Sequence, residues 1–254
     1  MYTNGIANGR FARRRSMTKF GAIVALSALS YGAFAAVLSA AAFDNATVQP
    51  GGPRSGANGK RFFNIEGNDY GNFASFGVVD FRSSDLGAAL PVGNINSVKL
   101  SFYHAPASFS VSGDVNFWVT EDTAANIQPG ASLAWDSTAL PDGVGAQLGT
   151  KYSVGSGTYD STQADEFLFE YTLTVDAATE SYLLDQINNG GNLRFIVSPA
   201  SNSTAATFSG YTDTLASGAS AAPVVTIDAD VVPEPATLAA LGLGLAAMLR
   251  RRRK

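Results

Sequence analysis

The 254-residue chain has no cysteine and one histidine, His104. Without cysteine there is no disulfide, no thiol nucleophile and no redox pair, and a zinc site built on His and Cys is out of reach. A Ser-His-Asp arrangement would have to use His104, and no G-x-S-x-G context supports one. Basic residues are scarce where they would matter for nucleic acid. Of the 17 Lys and Arg, five lie in the first 19 residues and five are the last five, so residues 43–232 keep seven against 20 Asp and Glu. That body carries a net charge of −13 and offers no basic face for phosphates. It also lacks any apolar run long enough to cross a bilayer. Twenty carboxylates leave a two-carboxylate glycosidase open. No spacing pairs them, so the chain reads as a non-enzyme.

What is abundant is Gly, Ser, Thr, Asn and Ala, which suits short strands joined by many turns. Residues 43–60, "FDNATVQPGGPRSGANGK", read as an irregular lead-in. From Arg61 the sequence alternates with period two. "INSVKLSFYH" puts Val98, Leu100, Phe102 and His104 on one face, and "GDVNFWVT" does the same with Val115, Phe117 and Val119. "EFLFEYTLTV" alternates throughout, and "NLRFIVS" sets Leu193, Phe195 and Val197 inward with Arg194 outward. One helix is expected near 177–188, with Asp176 as its N-cap, Leu183, Leu184 and Ile187 as its apolar stripe, and Asn188-Asn189-Gly190-Gly191 as its stop. The expected fold is all-β: one antiparallel sandwich over 61–230, jelly-roll-like, with that short helix closing a loop.

The two ends differ from the body. Residues 1–42 read as a signal peptide: a basic start (Arg13, Arg14, Arg15, Lys19), an apolar stretch and small residues suited to signal peptidase. Ala33-Phe34-Ala35 and Ala40-Ala41-Ala42 are both candidate cleavage signals, and Met1 and Met17 are both candidate starts. "RRSMTK" leaves the twin-arginine route open beside the general one. At the other end, residues 236–249 form an apolar run of 14, about 21 Å long as a helix, short of a hydrocarbon core of about 30 Å. Arg250, Arg251, Arg252, Arg253 and Lys254 follow it and would stay on the cytoplasmic side. Pro233 and Pro235 lack N–H donors and fix φ, so Pro233-Glu234-Pro235 is held extended just outside that run.

Pro-Glu-Pro, apolar helix and arginine cluster, in that order over 231–254, resemble the PEP-CTERM sorting signal. The resemblance implies export, a transient hold in the membrane through the C-terminal helix, and processing by an exosortase-type enzyme. It also implies a cell-surface or matrix destination in an exopolysaccharide or biofilm setting, where a structural or adhesive role is expected. "SGANGKRFFNIEGNDYGNFASFGVVDF" looks like a segment frequent in PEP-CTERM proteins. "FGVVDF", "INSVKLSFYH", "LLDQINNGGNLRFIVS" and "FSGY" make the body similar to secreted jelly-roll modules of the carbohydrate-binding type.

Two binding constellations stand beside that reading. Trp118, with Asn116 and Asp114 at the same parity, could stack on a sugar ring; the alternative is that a loop covers Trp118. Glu66, Asn68, Asp69 and Asn72 form an oxygen-rich turn of the kind calcium favours; solvated turns share that composition, and no other cofactor is expected. Trp135, beside Leu133, and His104, on the apolar parity of its strand, are read as core.

Overall fold

The computed structural model describes residues 34–89 and 91–232. Along them run β1 (Phe34–Ala41), β2 (Asp44–Gln49), β3 (Gly52–Pro53), a one-turn α1 (Ala57–Lys60), β4 (Phe62–Glu66) and β5 (Phe76–Arg82). Then come β6 (Val92–Tyr103), β7 (Gly113–Thr120), β8 (Lys151–Tyr159), β9 (Leu168–Leu173), α2 (Ala177–Asn189), β10 (Asn192–Pro199), β11 (Ala205–Ser209) and β12 (Val224–Val231). A four-stranded sheet has the order β1-β12-β6-β9, a six-stranded sheet β3-β2-β5-β10-β7-β8, and β11 pairs with β4 alone. The antiparallel ladders β1·β12, β5·β10, β6·β9 and β7·β8 nest first strand with last, second with second-last. A long hairpin rolled into two sheets produces that order, so the expected all-β sandwich is found in jelly-roll form. Among the described residues no helix is long and apolar enough to cross a membrane.

The period-two faces meet between the sheets. Phe102 of β6 lies parallel to Phe117 of β7 with ring centroids 6.4 Å apart, and Tyr171 of β9 approaches Phe117 at 4.8 Å. Val98, Leu100, Val115, Val119, Leu193 and Phe195 fill the same core. Helix α2 closes one end of it. Asp176 accepts from the Thr179 N–H at 2.8 Å, Leu183 and Ile187 are buried, and Gly190 at φ 73° ends the helix in the left-handed region.

Three features depart from the sequence reading. The lead-in is ordered: residues 43–60 contain β2, β3 and α1, and β2 pairs with β5 from Asp44 to Val48. The segment Phe34–Ala41, expected as the end of the signal peptide, is a strand paired along its whole length with β12. An apolar stretch rich in alanine reads equally as a signal core or as a half-buried strand, and here Leu38, Ala40 and Ala42 are in the core. Finally, "KYSVGSGTY" drew no strand expectation but forms β8. Its glycines disguised it. A Cβ on Gly157 would lie 2.2 Å from the Tyr171 ring, so the missing side chain is what lets that ring pack.

Arg194 is on the outer parity of β10 as expected, yet it is buried rather than solvated. The 121–150 connection folds over the outer face of the six-stranded sheet and brings Ile127, Leu133, Trp135, Val144 and Leu148 onto Val48, Phe76, Val78 and Ile196. This second core explains why β5 is buried on both faces. Trp135 belongs to it, as expected, and is 6 % exposed.

Candidate functional site

The C-terminal segment is joined to the domain at a defined place. Val231, the last residue of β12, is paired with Val92 of β6 on one side and with Phe34 of β1 on the other. One residue on, the Val232 N–H still donates to Pro91 O at 2.9 Å. The chain therefore leaves the sheet directly into Pro233-Glu234-Pro235, with no linker between. Pro233, Glu234, Pro235, Arg250, Arg251, Arg252, Arg253 and Lys254 themselves lie outside the described residues. Phe34 on the adjoining strand is where the N-terminal segment joins. Both expected address segments are thus attached to neighbouring positions on one ladder.

At the other end of the same sheet, beyond Tyr103 of β6 and Leu168 of β9, a cavity of about 520 Å3 opens. Twelve residues of β6 separate it from the tail, about 40 Å at 3.3 Å per residue. Phe62 and Phe109 supply aromatic surface, and Phe109 is 39 % exposed. Asn64 and Thr207 are buried in its wall, and Thr207 Oγ1 has no hydrogen-bond partner among the described residues. Arg54 and Arg61 bring positive charge, against Asp165, Glu166 and Asp213. Each of these carboxylates already has a structural partner: Asp213 accepts from Arg61 Nε at 2.8 Å, Asp165 from the Glu166 N–H at 3.0 Å, and Glu166 from the Ala216 N–H. A mixed aromatic and polar cavity of this size is suited to a small ligand or a short oligomer.

The family model described as the PEP-CTERM protein-sorting motif matches residues 231–254. The C-terminal segment is a PEP-CTERM protein-sorting motif. It marks an exported, cell-surface-directed protein that is processed by an exosortase-type enzyme. No curated protein matches the chain. The PEP-CTERM motif begins at Val231, so its first two residues are still held by the sheet and its signature tripeptide follows immediately.

The other sequence-derived residues fall elsewhere. Trp118 is not an open platform. Its Nε1 donates to Ser198 Oγ at 3.0 Å, the Lys151 ammonium sits 5.8 Å from its ring centroid, and the ring packs against the second core. Its neighbours on that face are engaged too: Asp114 accepts from Thr158 Oγ1 at 2.7 Å, and Asn116 is half-buried. The 121–150 connection thus packs against Trp118, as the covering-loop alternative expects, whereas Asp114 stays exposed and Asn116 half-buried.

The oxygen-rich turn is also divided. Glu66 is 4 % exposed and accepts from Asn64 Nδ2 at 3.1 Å, so its carboxylate is turned into the protein. Burial pushes its pKa up to about 7, with Arg54 and the Asn64 hydrogen bond pulling the other way. Asp69 and Asn72 are exposed and Asn68 is half-buried on the 3₁₀ turn Asn68–Phe73. Among the described residues no three His, Cys, Asp or Glu side chains group to hold a metal.

His104 is fully buried. Its Nδ1 lies 3.0 Å from Ala164 O, which can only accept, so Nδ1 carries a hydrogen; Nε2 lies 2.8 Å from the Tyr159 hydroxyl. Both nitrogens are committed to structure. The distal cavity escaped the sequence reading because its walls come from separated stretches of chain. One signal was visible: three of the seven body cations, Arg54, Lys60 and Arg61, fall within eight residues.

Proposed function

We propose that this is a non-catalytic surface or matrix protein with an adhesive role in an exopolysaccharide setting. A signal peptidase removes its leader, the short C-terminal helix tethers it in the membrane, and the exosortase-type enzyme then releases or transfers it. The supporting observation is the polarity of the four-stranded sheet. Both membrane-directed segments join it at the Phe34–Val231 rung, and the cavity opens at the far end. A domain held this way would display the cavity away from the membrane. Non-catalysis is supported by His104, Asp213 and Glu166, whose hydrogen bonds join segments distant in sequence.

The ligand class that suits the cavity is a saccharide, because Phe109 offers exposed aromatic surface, Phe62 carries the Arg61 guanidinium 5.0 Å from its ring centroid, and Asn64, Thr207 and Arg54 offer hydrogen-bonding groups. Retention of the exported protein on exopolysaccharide from its own cells tests this. Phe109→Ala, at a half-open position, should reduce retention several-fold without lowering the melting temperature. Equal retention of parent and variant would remove the cavity from the account. Product release from that polysaccharide by the purified protein would overturn the non-catalytic reading. Sorting is tested separately by fractionating cells that carry Pro233→Ala with Pro235→Ala. The expected result is unprocessed protein held with the membrane.

A further inference from the structure

The two candidate leader cleavage signals are not equivalent once β1 is seen. A cut after Ala42 would remove the whole of β1 and break the chain where it crosses from one sheet to the other. That crossover is tied on both sides: the Ala42 N–H donates to Pro223 O at 2.8 Å, and the Phe43 N–H donates to Asp80 O at 3.0 Å. Leu38, Ala40 and Ala42 would leave the core, and β12 would lose eight paired positions and become an edge. The sorting motif would then hang from an edge strand held by β6 alone.

A cut after Ala35 removes only the two exposed outer residues of β1, with the Phe34–Val231 and Ala35–Asp230 rungs, and leaves the crossover and the core residues in place. Phe34 is 61 % exposed and Ala35 is also exposed, Ala36 is half-buried, and burial begins at Leu38. Ala36 to Ala41 keep their partners Ala229 to Val224 on β12. Ala33 and Ala35 meet the small-residue requirement of signal peptidase on either side of Phe34. Counted from Met17, the removed leader would be residues 17–35, with Lys19 as its charged start and an ordinary length for its class.

We infer that signal peptidase hydrolyses the Ala35–Ala36 bond, so that β1 survives as the first strand of the mature domain and braces the strand that carries the sorting motif. Water supplies the hydroxyl that completes the Ala35 carboxylate and the hydrogen that completes the Ala36 amine. The inference rests on the export reading above and adds to it the position of the cut. It also places the new N-terminus, paired with Ala229, two rungs from Val231, so both processing events act at one end of the sheet.

Intact mass and N-terminal sequencing of the protein recovered from the envelope and medium of its own cells test the assignment. The expected N-terminus is Ala36. Exported protein that begins at Phe43 would overturn the inference and leave the export reading standing. Protein that keeps Met1 or Met17 and stays in the cytoplasm would overturn both. A full-length Ala35→Gln variant provides the second arm. Position 35 is exposed, so the fold tolerates the change, and the large side chain blocks small-residue recognition. The expected result is retention of the leader; normal maturation of A35Q would overturn the assignment.

Discussion

Phe34 and Val231 face one another on the first rung of the β1–β12 ladder. At this rung the N-terminal segment and the sorting motif join the sheet on neighbouring strands. The consequence is mechanical as well as topological. β12 is an interior strand of the four-stranded sheet, held by β6 on one flank and β1 on the other. The first two residues of the sorting motif, Val231 and Val232, are therefore held to the sheet, Val231 by ladders on both flanks. β12 is also the last strand among the described residues. The four-stranded sheet is therefore complete only when the strand that leads into the sorting motif has paired.

If β1 belongs to the mature domain, its core contact must matter to stability. Leu38 is 5 % exposed, and Leu38→Ala should cost about 2–4 kcal/mol in urea unfolding of the processed protein. Val37→Ala, on the adjacent outward position at 72 % exposure, should change little and serves as the control. Equal stabilities for the two variants would mean that β1 does not pack as described.

A second prediction concerns the buried ion pair. Arg194 donates to Asp80 through Nε at 2.8 Å and Nη2 at 2.7 Å, and its Nη1 donates to the carbonyls of Asp122 and Ala125 at 2.9 Å each. One guanidinium thus joins β10 to β5 and fixes the start of the covering connection. Burial pushes the Asp80 carboxyl upward, and Arg194 opposes that shift. Arg194→Met should destabilise by about 3–5 kcal/mol, because it strands a buried carboxylate. Asp80→Leu combined with Arg194→Met should recover part of that loss, and a double-mutant cycle by chemical denaturation reads the coupling. Full additivity of the two single changes would exclude the pair as a unit.

The contrast between Phe117 and Trp118 shows how far the sequence could be read. Phe117 followed from alternation alone, because the inner face of a strand must be apolar wherever two sheets meet. Trp118 has the same signal with opposite parity, and parity does not say whether the outer face meets water or a long connection. The 121–150 segment has no period to announce that it packs, since Ile127, Leu133, Trp135, Val144 and Leu148 are irregularly spaced. The sorting motif was legible because it is local: its order and its position carry the information. The cavity was not, because its Phe62, Phe109, Glu166 and Asp213 come together only through β-pairings distant in sequence. β1 was not legible as a strand for a third reason, since alanine-rich apolar sequence suits a signal peptide and a strand equally well.

The glycines of β8 lead to a packing prediction. Gly157 faces the Tyr171 ring, which is 7 % exposed and whose hydroxyl donates to Thr158 O at 3.3 Å. Gly157→Ala forces that ring aside in a full core and should cost about 1–3 kcal/mol. Gly51→Ala, where no atom lies within 4 Å of the added carbon, should be close to neutral. Similar effects at both positions would point to backbone freedom rather than packing as the reason for glycine in β8.

Glu66 gives the protein a pH dependence whose sign can be worked out. Its pKa rises from 4.5 to about 7 on folding, chiefly through burial. Between those values the folded state holds a proton that the unfolded state has released, so stability falls as pH rises through this window. Below it both states are protonated and the penalty vanishes; above it the penalty is complete. Glu66→Gln keeps an oxygen to accept from Asn64 Nδ2 and cannot ionise. The variant should match the parent near pH 4 and exceed it at pH 8 by on the order of 1–3 kcal/mol, as follows from about 1.36 kcal/mol per pKa unit. Thermal melts of both proteins across this range provide the check. A difference of constant size at every pH would assign the effect to packing, whereas one that grows between pH 4.5 and 7 identifies the buried carboxyl as its source.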